Sequence, residues 1–156
     1  MKLKVLALTL TISLVTAAGA MAATTKLTGK VKGDKKARVS LKVVVSKKDG
    51  VTGPTRVKGL KFSKLKYTCE DGTTGRKTVK FGSTVVGLVG FPKPFYLFNI
   101  NKTVKGVQLD GSGKLNKSGT RVKGSFGFVF TQKRADGSGD QTCGRSAASF
   151  SAKRKR

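Results

Sequence analysis

The chain has no histidine and no tryptophan, only two cysteines and three prolines, and seven acidic residues among 156. Without histidine there is no imidazole to act as general base, to complete a catalytic triad or to ligate a metal. The seven carboxylates are Asp34, Asp49, Glu70, Asp71, Asp110, Asp136 and Asp140. Five of them stand in or beside Asp-Gly pairs, where turn formation already accounts for them. No apolar run follows residue 22 that approaches the roughly 20 residues of a membrane-spanning helix. These absences leave no catalytic residue, no cofactor site and no metal site to assign.

The amino terminus carries a different pattern. Lys2 and Lys4 precede an uncharged apolar stretch from Val5 to Gly19, and Ala20-Met21-Ala22 follows with small residues. This is the layout of a secretory signal peptide, helical while it is being read, with cleavage expected after Ala22 or Ala23. Residues 1–22 are therefore assigned to the signal, and residues 23–156 to one basic β-domain. The expected location is extracellular or in the cell envelope, with no transmembrane segment left after cleavage.

Charge is the largest excess. The chain has 33 basic residues and a formal net charge of +26. Loss of Lys2 and Lys4 with the signal leaves +24 on the mature chain. Such a charge repels itself and calls for an anionic partner. Lysine outnumbers arginine by 25 to 8. Base reading leans on arginine forks, whereas lysine acts as a point charge. Sequence-specific nucleic-acid recognition is therefore not expected. The partner class is an anionic cell-envelope polymer or polysaccharide, held by salt-sensitive attraction. The contact residues expected from the lysine-rich strand faces and the basic tail are Lys58, Lys61, Lys64, Lys66, Arg121, Lys123, Lys153, Arg154, Lys155 and Arg156.

The dominant hydropathic period is two. Val39, Leu41, Val43 and Val45 alternate with Ser40 and Lys42, and Val122, Gly124, Phe126, Phe128 and Phe130 share one face against Arg121, Lys123 and Ser125 on the other. That is the pattern of half-buried strands. Ten strands are expected, at 26–32, 38–46, 56–69, 77–81, 84–91, 95–100, 103–109, 112–116, 120–131 and 146–153. Turns are expected at Lys48-Asp49-Gly50, Glu70-Asp71-Gly72, Asp110-Gly111 and Ala135-Asp136-Gly137, and Gly53-Pro54 should interrupt pairing. The fold class is all-β, an antiparallel β-sandwich or β-barrel. In the third strand the apolar parity changes between Phe62 and Leu65, which predicts a β-bulge near Ser63-Lys64. Val-Lys-Gly recurs at 31–33, 57–59, 104–106 and 122–124, twice extended to Thr-Arg-Val-Lys-Gly, but at no fixed period. The aromatic group Phe91, Phe95, Tyr96 and Phe98 is expected to be mainly core.

Cys69 and Cys143 read as one disulfide in an oxidising compartment. Two blocks extend this reading. One runs from Val57-Lys58-Gly59-Leu60-Lys61-Phe62 to Tyr67-Thr68-Cys69-Glu70-Asp71-Gly72. The other runs from Ser118 to Phe126 and resumes at Cys143-Gly144 and Ser149-Phe150-Ser151-Ala152-Lys153. In these blocks the chain resembles a group of small secreted bacterial β-rich proteins of unassigned function. Phe150 departs from the group, where tryptophan is common. The resemblance implies a secreted β-domain with a Cys69–Cys143 bridge, and implies no catalytic residue.

The function expected is thus non-enzymatic, a domain associating electrostatically with anionic polymers. One alternative is a structural or interaction module with no polyanion ligand, its charge set by composition alone. Another is a secreted hydrolase. Glycoside hydrolysis would need two facing carboxylates, and Glu70 with Asp136 or Asp140 is the pair a disulfide would draw together. Asp136-Gly137-Ser138-Gly139-Asp140 opens like a calcium loop, but Gln141 and Ala147 stand where such a loop needs glycine and glutamate.

Overall fold

The computed structural model describes residues 22–48, 50–90 and 95–155. The expected signal segment up to Met21, the expected turn residue Asp49, Phe91 of the aromatic group and Arg156 of the tail lie outside the described residues. The described residues form ten strands: β1 (Ala23–Val31), β2 (Asp34–Lys48), β3 (Val51–Cys69), β4 (Thr74–Lys80), β5 (Ser83–Val85), β6 (Gly87–Val89), β7 (Phe95–Val104), β8 (Val107–Leu115), β9 (Arg121–Lys133) and β10 (Asp140–Arg154). All pairings are antiparallel, in the order β4-β3-β2-β1-β10-β9-β8-β7-β6, with β5 also on β3.

The period-two pattern sets which face is buried. Val39, Leu41 and Val43 of β2 are buried, while Arg38 before them and Lys42 between them are exposed. The inward faces meet in one core. Phe62 of β3 stacks on Phe126 of β9 with ring centroids 4.0 Å apart, and Phe150 of β10 meets Phe62 edge-on at 5.4 Å. β3 and β9 are not neighbours in the sheet, so these contacts exist only because the sheet curls over onto itself. Each fully buried aromatic of this kind is worth about 1.5–3 kcal/mol in transfer free energy.

Closure happens at one end. The β1–β2 hairpin turns at Lys32-Gly33, while β3 and β10 run on past its tip. There Cys143 pairs with Cys69 and Gly144 with Thr68, and the two cysteines form a disulfide. β1, β2, β3 and β10 thereby make a closed four-stranded antiparallel barrel, with the other strands extending it. Of the two expected all-β architectures, the barrel is the one adopted.

The bulge falls where the parity change places it. The β3–β4 register shifts between Phe62 and Leu65, and Lys64 has φ 55°. Other local signals mislead. Asp110-Gly111 is no turn, since both residues lie inside β8 and pair across to β7 and β9. Three expected strands between 95 and 116 are therefore two, and the chain reverses at Lys105-Gly106 instead. Gly111 serves close approach: a Cβ there would lie 2.6 Å from the Ser125 carbonyl oxygen. Gly53-Pro54 does not interrupt pairing either. Both are buried in β3, opposite Ser46 and Val45, at a register shift that accommodates the proline. A Cβ on Gly53 would overlap the Tyr96 ring.

The Val-Lys-Gly recurrences fall at matching places. Those at 31–33 and 104–106 are at the β1–β2 and β7–β8 turns, and the two extended copies lie at 55–59 within β3 and at 120–124, entering β9. Each extended copy is followed, at the same distance, by an Asp-Gly turn into the next strand. The meanders β1-β2-β3-β4 and β7-β8-β9-β10 thus repeat one arrangement.

Candidate polyanion surface and the disulfide end

Exposed alternate positions of adjacent strands face one another, and the register decides which. Lys26 of β1 lies opposite Lys42 of β2, and Lys42 opposite Lys58 of β3. A second row runs Arg121, Lys153, Thr28, Ser40, Lys61, Lys80 across β9, β10, β1, β2, β3 and β4. A third runs Lys114, Lys123, Ser151, Lys30, Arg38, Ser63 from β8 to β3. No carboxylate stands in any of the three. Adjacent strands are about 4.8 Å apart, so the rows hold cations at close spacing. Like charges placed directly opposite destabilise a sheet.

Where the second and third rows cross β9, β10, β1 and β2, the surface dips into a groove of about 810 Å³. Small hydroxyl residues, Thr28, Ser40 and Ser151, lie among its lining with Lys30, Arg38, Arg121, Lys123, Lys153 and Lys155. Such a lining offers charge to anionic groups and hydrogen bonds to a polar chain.

The sequence-expected contacts divide. Lys58, Lys61, Arg121, Lys123 and Lys153 are in the rows, and Lys155 lines the groove. Arg154 is opposite the buried Leu27, so it shares the core-side parity and reaches solvent only at the strand end. Lys64 is at the bulge and Lys66 faces Arg76, both toward the disulfide end. Lys26, Lys30, Arg38, Lys42, Lys80 and Lys114 were not singled out by the sequence. Their signal is the polar phase of each strand, which gives the face but not the partner.

The disulfide end is different in kind. An open depression of about 670 Å³ crosses the other halves of β9 and β10, lined by Glu70, Asp110 and a single cation, Arg145. The bridge does bring the expected acidic loops together: the Glu70 N–H donates to the Thr142 carbonyl, and Arg134 comes within 4.0 Å of the Glu70 carboxylate. Asp71 accepts from the Thr73 hydroxyl and N–H, and these bonds hold its carboxyl below the ordinary value. Asp136 is held low in the same way by the Ser138 N–H and hydroxyl. Carboxyls so stabilised as anions are poor proton donors near neutral pH. The Asp136 oxygen that would begin a calcium loop is occupied by its own turn, and among the described residues no three metal-ligating side chains gather.

Asp34 stands apart. Its side chain is only 4 % exposed. It accepts from the N–H groups of Lys36, Ala37 and Lys66, each at 3.2 Å, and from Arg76 Nη1 at 3.0 Å. Arg145 lies 3.7 Å away. Burial alone would raise its carboxyl; the Arg76 bond and the Lys66, Ala37 and Lys36 N–H groups outweigh it, and the net shift is downward. Comparison of the chain with protein-family models, with curated proteins and with solved structures finds no match, so the function is argued from this geometry.

Proposed function

We propose that the protein is an exported, non-enzymatic β-domain that holds anionic polymers against the cationic side of its barrel, with the groove between Lys30, Arg38, Arg121, Lys123 and Lys153 as the contact. One observation carries this reading: rows of lysine, arginine and small hydroxyl residues run across as many as six strands with several cations directly opposite one another and without an intervening carboxylate. Opposite charges directly across two strands stabilise a sheet and like charges destabilise it. Here repulsion is kept, and a bound polyanion would relieve it. The groove is elongated across strands and open, which suits a chain better than a small molecule. Export is supported by the sequence pattern of the first 22 residues, and the Cys69–Cys143 bridge is compatible with an oxidising compartment. The preferred partners are acidic polysaccharide or anionic envelope polymer.

The test is retention of purified mature protein on heparin or on isolated envelope polymer as salt is raised. Retention should fall steeply, because each contact displaces condensed counterions. The triple variant Lys30→Ala/Lys123→Ala/Lys153→Ala should elute earlier and with a shallower salt dependence. Retention that does not respond to salt, or that the triple variant leaves unchanged, would refute the proposal.

A further inference from the structure

The geometry points to a second, discrete site: a pocket at the tip of the β1–β2 hairpin in which Arg76 and Arg145 bind a single tetrahedral oxyanion group, a phosphate or sulfate ester. This site lies outside the cation rows and does not depend on the groove being used.

The pocket has a volume of about 560 Å³ and is lined by Lys35, Lys36, Lys66, Arg76 and Arg145 around Asp34. Five cations against one carboxylate leave four positive charges uncompensated. Three structural features converge to hold the two arginines. The hairpin tip delivers Asp34, whose carboxylate takes Arg76 Nη1 at 3.0 Å and has Arg145 Nη1 at 3.7 Å. The β3 bulge at Lys64 turns its carbonyl to the same Arg76 nitrogen, which donates to it. The disulfide-clamped pairing of Gly144 with Thr68 fixes the segment of β10 that carries Arg145.

Asp34 is saturated by these bonds, while the arginines are not. Among the described residues Arg76 donates through Nη1, its other N–H groups meeting no acceptor, and its side chain is 36 % exposed. Arg145 is 24 % exposed and makes no contact shorter than the one to Asp34 among the bonds described. Two guanidiniums held in place by a buried carboxylate cost little reorganisation on binding. Donors approach from β4 and β10 while Lys35, Lys36 and Lys66 stand at the rim. A planar carboxylate is satisfied by one fork. Convergence from several directions suits a tetrahedral group with acceptors on all sides. Asp34 is then a positioning residue, and the arginines are the contacts.

The test uses the oxidised full mature chain at fixed ionic strength, titrated separately with inorganic phosphate, a sugar phosphate and a sugar sulfate. Binding is read by calorimetry and by backbone amide shifts. The expected result is saturable one-site binding with shifts concentrated at Lys66, Thr68, Gly144 and Arg145. The stronger of the two ester arms identifies the source, a phosphorylated polymer or a sulfated glycan. Arg76→Lys and Arg145→Lys keep the charge but lose the fork, and each should weaken binding about tenfold. Unchanged thermal unfolding of these variants shows that the fold is retained. Lys30→Ala/Lys123→Ala in the groove should leave the small-anion affinity unchanged while reducing heparin retention, so the two sites fail separately. Shifts that do not saturate, shifts spread along the cation rows, or undiminished binding in both arginine variants would overturn the site.

Discussion

The two ends of β9 and β10 are built on the same alternation and arrange their charges differently. At one end Arg121, Lys123 and Lys153 border a groove without a carboxylate. At the other, Glu70 and Asp110 line the depression and Arg145 is its only cation. The cationic end gains nothing from its charges in isolation, since like faces like. The disulfide end is where acid and base meet: Arg134 with Glu70, Arg76 and Arg145 with Asp34, Lys133 opposite Asp140. At one end cations line up with no acid among them; at the other the acids Glu70, Asp34 and Asp140 each meet a cation, beside a pocket that still carries an excess of lysine and arginine. The disulfide and the buried Asp34 network both lie at this second end, together with the closure of the barrel.

The largest effect should come from the bridge. It closes a loop spanning a sequence separation of 74 residues, for which the chain-entropy argument gives roughly 4 kcal/mol. The double variant Cys69→Ala/Cys143→Ala should therefore unfold at a markedly lower urea concentration. Polyanion retention by the fraction still folded should be unaffected, because no row residue pairs with β3 beyond Ser63 on that side. Loss of retention in a folded, bridge-free variant would show that the two ends are not independent.

Asp34 comes next. Asp34→Ala strands three N–H donors and leaves two arginines beside a buried gap. Breaking a buried ion pair costs about 3–5 kcal/mol, but Arg76 and Arg145 both reach solvent, so about 2 kcal/mol is expected. The pH dependence follows from the direction of the Asp34 shift. Its folded value lies below the unfolded one, about 3.9, so the unfolded chain binds protons first. The contribution is fully present above that value and is lost as pH falls through the folded one. Thermal unfolding of the wild type should hold steady from about pH 5 to 8, where no histidine titrates, and drop below about pH 4. In Asp34→Ala the drop should be shallower. An equal acid loss in both proteins would place the pH sensitivity elsewhere.

What the sequence made legible was local. Period-two alternation located the strands, the parity change at Leu65 located the bulge, and an even cysteine pair located the bridge. What it concealed was register. That Lys26, Lys42 and Lys58 form one row depends on pairings between three strands, and no spacing within any one of them encodes it. Asp34 was hidden for the same reason: Lys66, Arg76 and Arg145 reach it from distant sequence. Asp110-Gly111 failed in the opposite way. Glycine allows both a turn and a close strand approach, and only the Ser125 carbonyl across the sheet decides between them.

The smallest effect is also the sharpest test of the contrast between the ends. Lys42 has a lysine directly opposite on both sides, Lys26 and Lys58. Lys42→Glu turns two repulsions into two attractions. With a cross-strand charge pair worth about 0.5 kcal/mol, the variant should gain about 1 kcal/mol and melt a few degrees higher. It should also bind heparin more weakly, with a shallower dependence on salt. The mirror change is Lys133→Glu, which replaces an attraction to Asp140 by a repulsion. That variant should melt lower and, lying outside the rows, leave retention nearly unchanged. Raising salt should shrink both stability differences, because both side chains are exposed. If Lys42→Glu raises stability and lowers retention together, the repulsion in the rows is what the anionic partner relieves. If stability rises while retention holds, the rows are ballast, and the contact must be sought at the arginines around Asp34.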